Sequence, residues 1–391
     1  MALTINPRLR GLAPSGIRRF SALAAATPGC VSLTLGEPGE GTPPAIRNRV
    51  GEDLAAGLTH YPPNNGFPWL REAIASAEAA RGVSPKVATP DNVIATVGAT
   101  EALFVALSTI LEPGDEVVVL TPAFSLYGSI ASLLGARVVE LDTEPACYQV
   151  DPAALARTVT PRTKAVVLCS PNNPTGCVLD DASLSAVATS ARAHDLFVVC
   201  DDVYWLLSYD GETTSFAPAY PDLADRTLVV GSFSKPWAMT GWRMGWLLGP
   251  TWVMGQAAKV HQFAVSSIPA FVQHAGVEAL GTNVDQMRES YRRRRDRVIE
   301  ALGQMGLPTP IPRGAFYAFP DIREFGLTSE EFCERAIREA GVALVPGVFF
   351  GGEGHVRLSY ACDDRTLAEG LARLARFVDE LREGETSHAR A

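Results

Sequence analysis

From residue 93 onward, short apolar runs recur at regular intervals that are too long for tight hairpins. Residues 93–97, 116–120, 137–141, 164–169, 196–200, 228–231 and 245–248 read as strands. Most are hydrophobic along their length rather than at alternate positions, so both faces need cover. Helical spacing fills most of the gaps, at 100–111, 126–134 and 182–194. Strands buried on both sides and separated by helices predict a mainly parallel, doubly wound α/β sheet. Ligands of such sheets sit outside the carboxyl ends of the strands. The residues that follow each run are therefore the ones to read for chemistry.

The flanks differ in character. Residues 1–30 read as an arm followed by a short helix, and 31–35 as a brief strand broken at Gly36-Glu37-Pro38-Gly39. Residues 68–80 read as a helix. Beyond Pro250 come helical stretches at 252–265, 269–280 and 284–305. Short strands at 316–319, 342–345 and 355–359 then fall between helices at 329–340 and 365–382, with 383–391 as a frayed end. This α+β pattern predicts a second, smaller domain. With 391 residues the expected division is 1–45 as an N-terminal arm joining the small domain, 46–283 as the large domain, and 284–391 as the small C-terminal domain.

The balance of 34 Lys and Arg against 43 Asp and Glu gives a formal charge of −9, which argues against nucleic acid or an anionic membrane as general partners. The dense basic run Arg292–Arg295 reads as a solvated face or an interface. Seven scattered cysteines, several within apolar runs, read as free thiols in a reducing cytoplasm. No pair or His cluster among them suggests a metal site. The N-terminus lacks the apolar stretch of a signal peptide, and no run is long enough to span a bilayer.

Four strand ends carry unusual residues. The first runs into Gly98-Ala99-Thr100, opening a helix with Glu101 in its first turn; free N–H groups there suit an anion, or Thr100 serves only as a cap. The next leads to Thr121-Pro122-Ala123-Phe124, whose ring packs in the core or stacks on a planar ligand. Residues 164–169 lead into Ser170-Pro171-Asn172-Asn173-Pro174-Thr175-Gly176, where an asparagine amide can address a ligand. Residues 196–200 end in Asp201-Asp202-Val203-Tyr204. A carboxylate there is costly unless it meets a cation, and Asp202 suits a helix cap better than Asp201 does.

The fifth end is GSFSKPWAMTGWRMGW, residues 231–246. Lys235 lies among Phe233, Pro236, Trp237 and Met239, and apolar surroundings drive an ammonium toward its neutral, nucleophilic amine. A Schiff base is the product such an amine forms with an aldehyde, and pyridoxal phosphate is the aldehyde that fits. Ser232 and Arg243 suit its phosphate. A lysine snorkelling beside a helix start is the plain alternative for this residue taken alone.

Taken together and in order, LGEP at 35–38, HYPPNNGFPWLREAIA at 60–75, GATEAL at 98–103, SPNNPTG at 170–176, DDVY at 201–204, the lysine stretch and HVRLSY at 355–360 resemble the class I/II aminotransferases, the fold-type I pyridoxal-phosphate enzymes. The likeness runs from about residue 15 to about residue 378. It implies that Lys235 holds pyridoxal 5′-phosphate and later shuttles a proton, with Asp201 paired to the pyridine nitrogen. Asn173 and Tyr204 would bond the 3′-oxygen, and Phe124 would stack on the ring where many relatives carry Tyr or Trp. Ser232, Arg243 and the amides of Gly98, Ala99 and Thr100 would hold the phosphate. Tyr61 resembles the tyrosine that reaches the phosphate of a neighbouring subunit, which implies a homodimer. Arg357 resembles the α-carboxylate clamp, helped by Asn173 and the Gly36 backbone. The implied reaction is ping-pong transfer of an amino group from an L-amino acid to a 2-oxo acid, 2-oxoglutarate being the expected acceptor.

For the donor, GATEAL is similar to broad-range aromatic and methionine-type transaminases. The stretches at 15–24, 259–267 and 340–347 resemble the bacterial aminotransferase A group, associated with N-acetyl-LL-diaminopimelate. Aspartate-preferring relatives tend to carry lysine where this chain has Thr100. Arg18 and Arg19 are candidates for a distal carboxylate, or are surface arginines. A C–S β-lyase, and a regulator that keeps the cofactor without turnover, share the same cofactor residues. A nicotinamide enzyme fits the alternation of elements, but no G-x-G-x-x-G follows the first strand of the sheet.

Overall fold

A computed structural model describes residues 3–209 and 215–388. Its first strand, β1 (Val31–Ser32), lies outside the main sheet. The main sheet has seven strands: β2 (Val93–Thr96), β3 (Glu116–Thr121), β4 (Arg137–Asp142), β5 (Thr163–Cys169), β6 (Phe197–Asp201), β7 (Thr227–Ser232) and β8 (Gly245–Leu248). Their spatial order is β2-β8-β7-β6-β5-β3-β4. Only β8 runs against its neighbours; the others are mutually parallel. The mainly parallel, doubly wound α/β sheet expected from the apolar runs is the fold.

The runs became strands because both of their faces are covered. Along β3, Val117 and Val119 enter one core cluster while Val118 and Leu120 enter another. In β5, Ala165 and Val167 face one layer, Val166 and Leu168 the other. Helices Gly98–Ile110 and Thr251–Ala264 cover the first face. Helix Asp181–His194 covers the second, and Pro68–Ala80 packs on the β2–β8–β7 edge. Only β4, at the far edge, is largely open to solvent.

This topology concentrates strand ends. Six parallel strands finish at one edge, so the residues after β2, β3, β5, β6 and β7 crowd together there. Because β8 is reversed, the residue two before its start, Arg243, arrives at that same edge. Beyond the main sheet lie β9 (Tyr317–Ala318), β10 (Val342–Ala343), β11 (Val345–Pro346) and β12 (Val356–Ser359). β11, β12 and β9 form a three-stranded antiparallel sheet, and β1 pairs in parallel with β10. Among the described residues, no helix is long and apolar enough to cross a membrane.

Several expectations need correction. The strand expected at 31–35 is only two residues long, because beyond Leu33 the chain turns its Thr34 carbonyl toward Arg357. Helix Pro44–Ala55 was not evident, since Gly51 and scattered charges blur its apolar stripe. The helix expected at 329–340 ends at Arg335 and gives way to a wider turn, Ala336–Ala340. The tail expected to fray at 383 stays helical to His388, its polar sequence holding one weak helix former, Gly384, and no proline; residues 389–391 lie outside the described residues. The basic run is only half solvated. Tyr291, Arg295, Val298 and Leu302 recur at helical spacing on the buried face of Asp285–Gln304, and Arg294 lies beside them. Arg295 donates to the Pro312 carbonyl, and Arg294 pairs with Glu40 and Asp364.

Candidate active site

At the gathered strand ends a cavity of about 310 Å³ is lined by Gly36, Ala99, Thr100, Phe124, Asn173, Asp201, Tyr204, Ser232, Lys235, Arg243 and Arg357, among others. Of the cofactor and α-carboxylate residues singled out from the sequence, only Gly98 and Tyr61 are not on its wall. Gly98 stands directly behind it, and Tyr61 is 92% exposed elsewhere on this chain.

Lys235 follows β7 by three residues. Its Nζ donates to the Gly36 carbonyl at 2.6 Å. Burial, and then the neighbouring Arg357 guanidinium, lower its pKa to about 8. A substantial fraction of neutral amine is therefore available near physiological pH. Asp201 closes β6. Burial raises its pKa to about 6, although the Tyr127 hydroxyl, donating to Oδ2 at 2.6 Å, and the Val203 amide stabilise the ionised form. A carboxylate pushed upward in this way favours a nearby cation.

Arg357, on β12, enters from the three-stranded sheet and is 2% exposed. Its Nη2 donates to the Thr34 carbonyl at 2.7 Å and its Nη1 to Asn173 Oδ1 at 2.9 Å. Its Nε has no partner. The guanidinium lies over the Tyr317 and Phe350 rings, 4.5 and 4.9 Å from their centroids. No carboxylate of the described residues neutralises it, and burial lowers its pKa. Asn173 is thereby held by the arginine, while the Tyr204 hydroxyl lies 2.9 Å from that of Tyr317.

At the opposite end the helix Gly98–Ile110 begins without a side-chain cap, leaving its first amides free. The helix starts at Gly98, so Thr100 lies inside its first turn and is not the cap that the sequence allowed. Gly98 has φ +72°, and a Cβ there would lie 2.7 Å from Arg243 Nη2. Glycine is favoured because the backbone is left-handed, and any side chain there would also push the guanidinium aside. The Ser232 hydroxyl accepts the Ser234 N–H at 3.0 Å.

Asp202 is no helix cap. It meets Arg81 at 2.7 Å, away from the cavity. The sequence reading also passed over wall residues. Tyr127 and Tyr317 both line the cavity, as do Cys169 and Ser234; Arg18, singled out for a distal carboxylate, is on the wall as well. Tyr127 could have been noticed as a second aromatic three residues after Phe124; Tyr317 sits in the strand expected at 316–319, where nothing local marks it as facing a ligand.

An adjoining hollow of about 670 Å³ shares Ser15, Arg18, Thr100, Phe124 and Leu126 with the cavity. Arg18 and Arg19 separate here. Arg19 pairs with Glu330, whereas Arg18 faces the cavity and meets no carboxylate of the described residues.

The donor set fits a flat, charged cofactor: an acid at one end, free amides with Arg243 and two serines at the other, and an amine between. A family model described as aminotransferase class I and II matches residues 28–374. The chain is 40% identical over 388 residues to a putative aminotransferase, YugH, of Bacillus subtilis, covering 97% of this chain and 99% of that one. It is 39% identical over 384 residues to a probable N-acetyl-LL-diaminopimelate aminotransferase of the same organism, covering 97% of each. Among solved structures, the aspartate aminotransferase of Thermus thermophilus with maleate superposes with a TM-score of 0.90 at 38% identity, over 96% of this chain and 100% of the other.

Proposed function

The chain belongs to the class I and II aminotransferases, and from that premise we propose that it moves an amino group from an L-amino acid to 2-oxoglutarate in a ping-pong sequence, with pyridoxal 5′-phosphate as its cofactor. The observation that carries this reading is the trio of partly buried Lys235 and fully buried Asp201 and Arg357 around one cavity, with no ion pair joining them. When bound, the cofactor supplies an aldehyde that condenses with amines and a ring that draws electrons from the substrate's Cα.

In this reading Lys235 is the covalent anchor. Its Nζ would take the proton from the substrate's Cα and hand it back. An amine with a pKa of about 8 can do both near neutral pH. Asp201 would hold the ring nitrogen and keep it protonated. Asn173 and Tyr204 would address the ring hydroxyl, and Phe124 would cover the ring's face. The amides at Gly98, Ala99 and Thr100, with Ser232 and Arg243, take the phosphate. Arg357 would grip the α-carboxylate with a planar fork, assisted by Asn173 and the Gly36 backbone. That grip sets the Cα–H bond toward Lys235, an orientation effect rather than a chemical one.

Arg18 supports the choice of acceptor, as the cation on the wall left without a role once phosphate and α-carboxylate are matched. The adjoining hollow supports donors with extended side chains: aromatic, methionine or N-acetyl-diaminopimelate. We also propose the division into 1–45, 46–283 and 284–391, a homodimer to which Tyr61 contributes across the interface, and a cytoplasmic setting suited to seven free thiols.

Initial rates with varied donor and acceptor test this reading. Parallel double-reciprocal lines are expected, and Arg18→Ala should raise KM for 2-oxoglutarate about tenfold while leaving KM for pyruvate unchanged. Converging lines would sink the ping-pong sequence. Pyruvate and ammonia formed from cysteine conjugates without an acceptor would point to a lyase instead.

A further inference from the structure

Behind the phosphate-facing turn lies a buried pair that none of these roles uses. His261 has no exposure and Glu101 is 8% exposed. Glu101 stands in the first turn of helix Gly98–Ile110, and its Oε2 accepts the N–H of Val97, the residue just before that helix. Its Oε1 lies 2.6 Å from His261 Nδ1. The other ring nitrogen, Nε2, lies 2.8 Å from the carbonyl oxygen of Asn64.

Both neighbours of the ring are acceptors, so Nε2 donates to Asn64 and one further proton sits between Nδ1 and Oε1. Every polar atom of the pair is then used. The connection it makes is specific. On one side is the turn at 97–101, of which Ala99 and Thr100 line the cavity. On the other is the loop at 60–66, which is also tied to β2 by the Ala95 N–H donating to the Asn65 carbonyl at 3.1 Å. Asn64 Nδ2 points to the Ala258 carbonyl, on the same helix as His261. Three segments distant in sequence thus meet at one imidazole.

We propose that Glu101 and His261 are positioning residues for the anionic end of the cofactor. The pair locks the turn at 97–101 to the loop at 60–66, so that the free amides of Ala99 and Thr100 hold one orientation before any phosphate arrives. A preorganised set of donors binds an anion without first ordering the backbone. The proposal rests on the phosphate end assigned above.

The substitution Glu101→Gln is the informative control. Its amide oxygen can accept from Val97, its NH₂ can donate to Nδ1, and His261 Nε2–H still reaches Asn64. Glu101→Ala and His261→Phe cannot complete the bridge. The experiment strips the full-length protein of cofactor and titrates it with pyridoxal phosphate and, separately, with pyridoxal, following visible absorbance. Expected are a loss of affinity for pyridoxal phosphate of about tenfold in Glu101→Ala and His261→Phe, little change for pyridoxal, and near-normal binding of both by Glu101→Gln. Equal losses for both ligands, no loss for either, or a Glu101→Gln protein as damaged as Glu101→Ala would overturn the pair's role. Should His261→Phe not fold, the two Glu101 variants decide the matter alone. Wild-type protein that takes up neither compound would overturn the underlying cofactor reading, a result distinct from those.

Discussion

Asp201 and Asp202 leave the same strand one residue apart and enter regions that treat charge in opposite ways. Asp202 meets Arg81, which also holds Glu78 at 2.6 Å and the Ser215 hydroxyl at 2.8 Å. The remaining Glu78 oxygen takes the Trp246 indole N–H at 2.8 Å. Burial alone would lower the Arg81 pKa, but Glu78 and Asp202 more than reverse it and drive it above its ordinary value. Asp201 has only a phenol and an amide. Arg357, equally buried, has only neutral oxygens and one idle nitrogen, and its pKa falls. The first region spends its charges on one another and is scaffold. The second leaves each charge short of a counter-ion, the condition in which a ligand can supply what is missing.

The contrast breaks hardest at Lys235. Replacing it with methionine removes the proposed anchor and proton carrier, and turnover should fall by about 100,000-fold or more. The same change should stabilise the cofactor-free protein at pH 7 by up to about 3 kcal/mol, since it deletes a partly buried, desolvated cation. The sign follows from the lowered pKa. Between about 8 and 10.5 the unfolded chain binds the proton that the folded chain has released, so wild-type stability climbs with pH across that window. The variant's curve should lack that climb, and its advantage should shrink as pH rises. Urea unfolding at several pH values reads this directly; an advantage that does not vary with pH would contradict it.

Arg81→Met sharpens the comparison from the other side. Two buried carboxylates would lose their cation, and stability should drop by about 3–5 kcal/mol. Folded protein that remains should still bind cofactor. A loss below about 1 kcal/mol would mean that the Arg81 cluster does not hold the scaffold.

Much of this was legible in the residues because the main strands are long, apolar and buried on both faces. Helix 68–80 and strand 245–248 fall where their patterns put them, and the other main strands shift by a residue or two at either end. The cavity was legible because its residues stand just past strand ends, where a polar group in an apolar setting is conspicuous. What escaped has a physical cause in each case. The strands expected at 316–319 and 342–345 are there, but the first shrinks to β9 and the second splits into β10 and β11, two residues each, a detail too short for any period to register. Arg294 and Arg295 look like part of a charged run until their helix is packed. The separate fates of Asp201 and Asp202, and of Arg18 and Arg19, depend on partners 74 to 311 residues away, which spacing cannot reveal.

The central claim is that the Lys235 amine is the group that bonds to pyridoxal phosphate. Incubating the protein with that compound, reducing with borohydride and mapping the labelled peptides by mass spectrometry tests it directly. The expected result is a label on Lys235 and an unlabelled set of Lys86, Lys164 and Lys259. A label that stays on those surface lysines in the native protein, with Lys235 unmodified, would contradict the account.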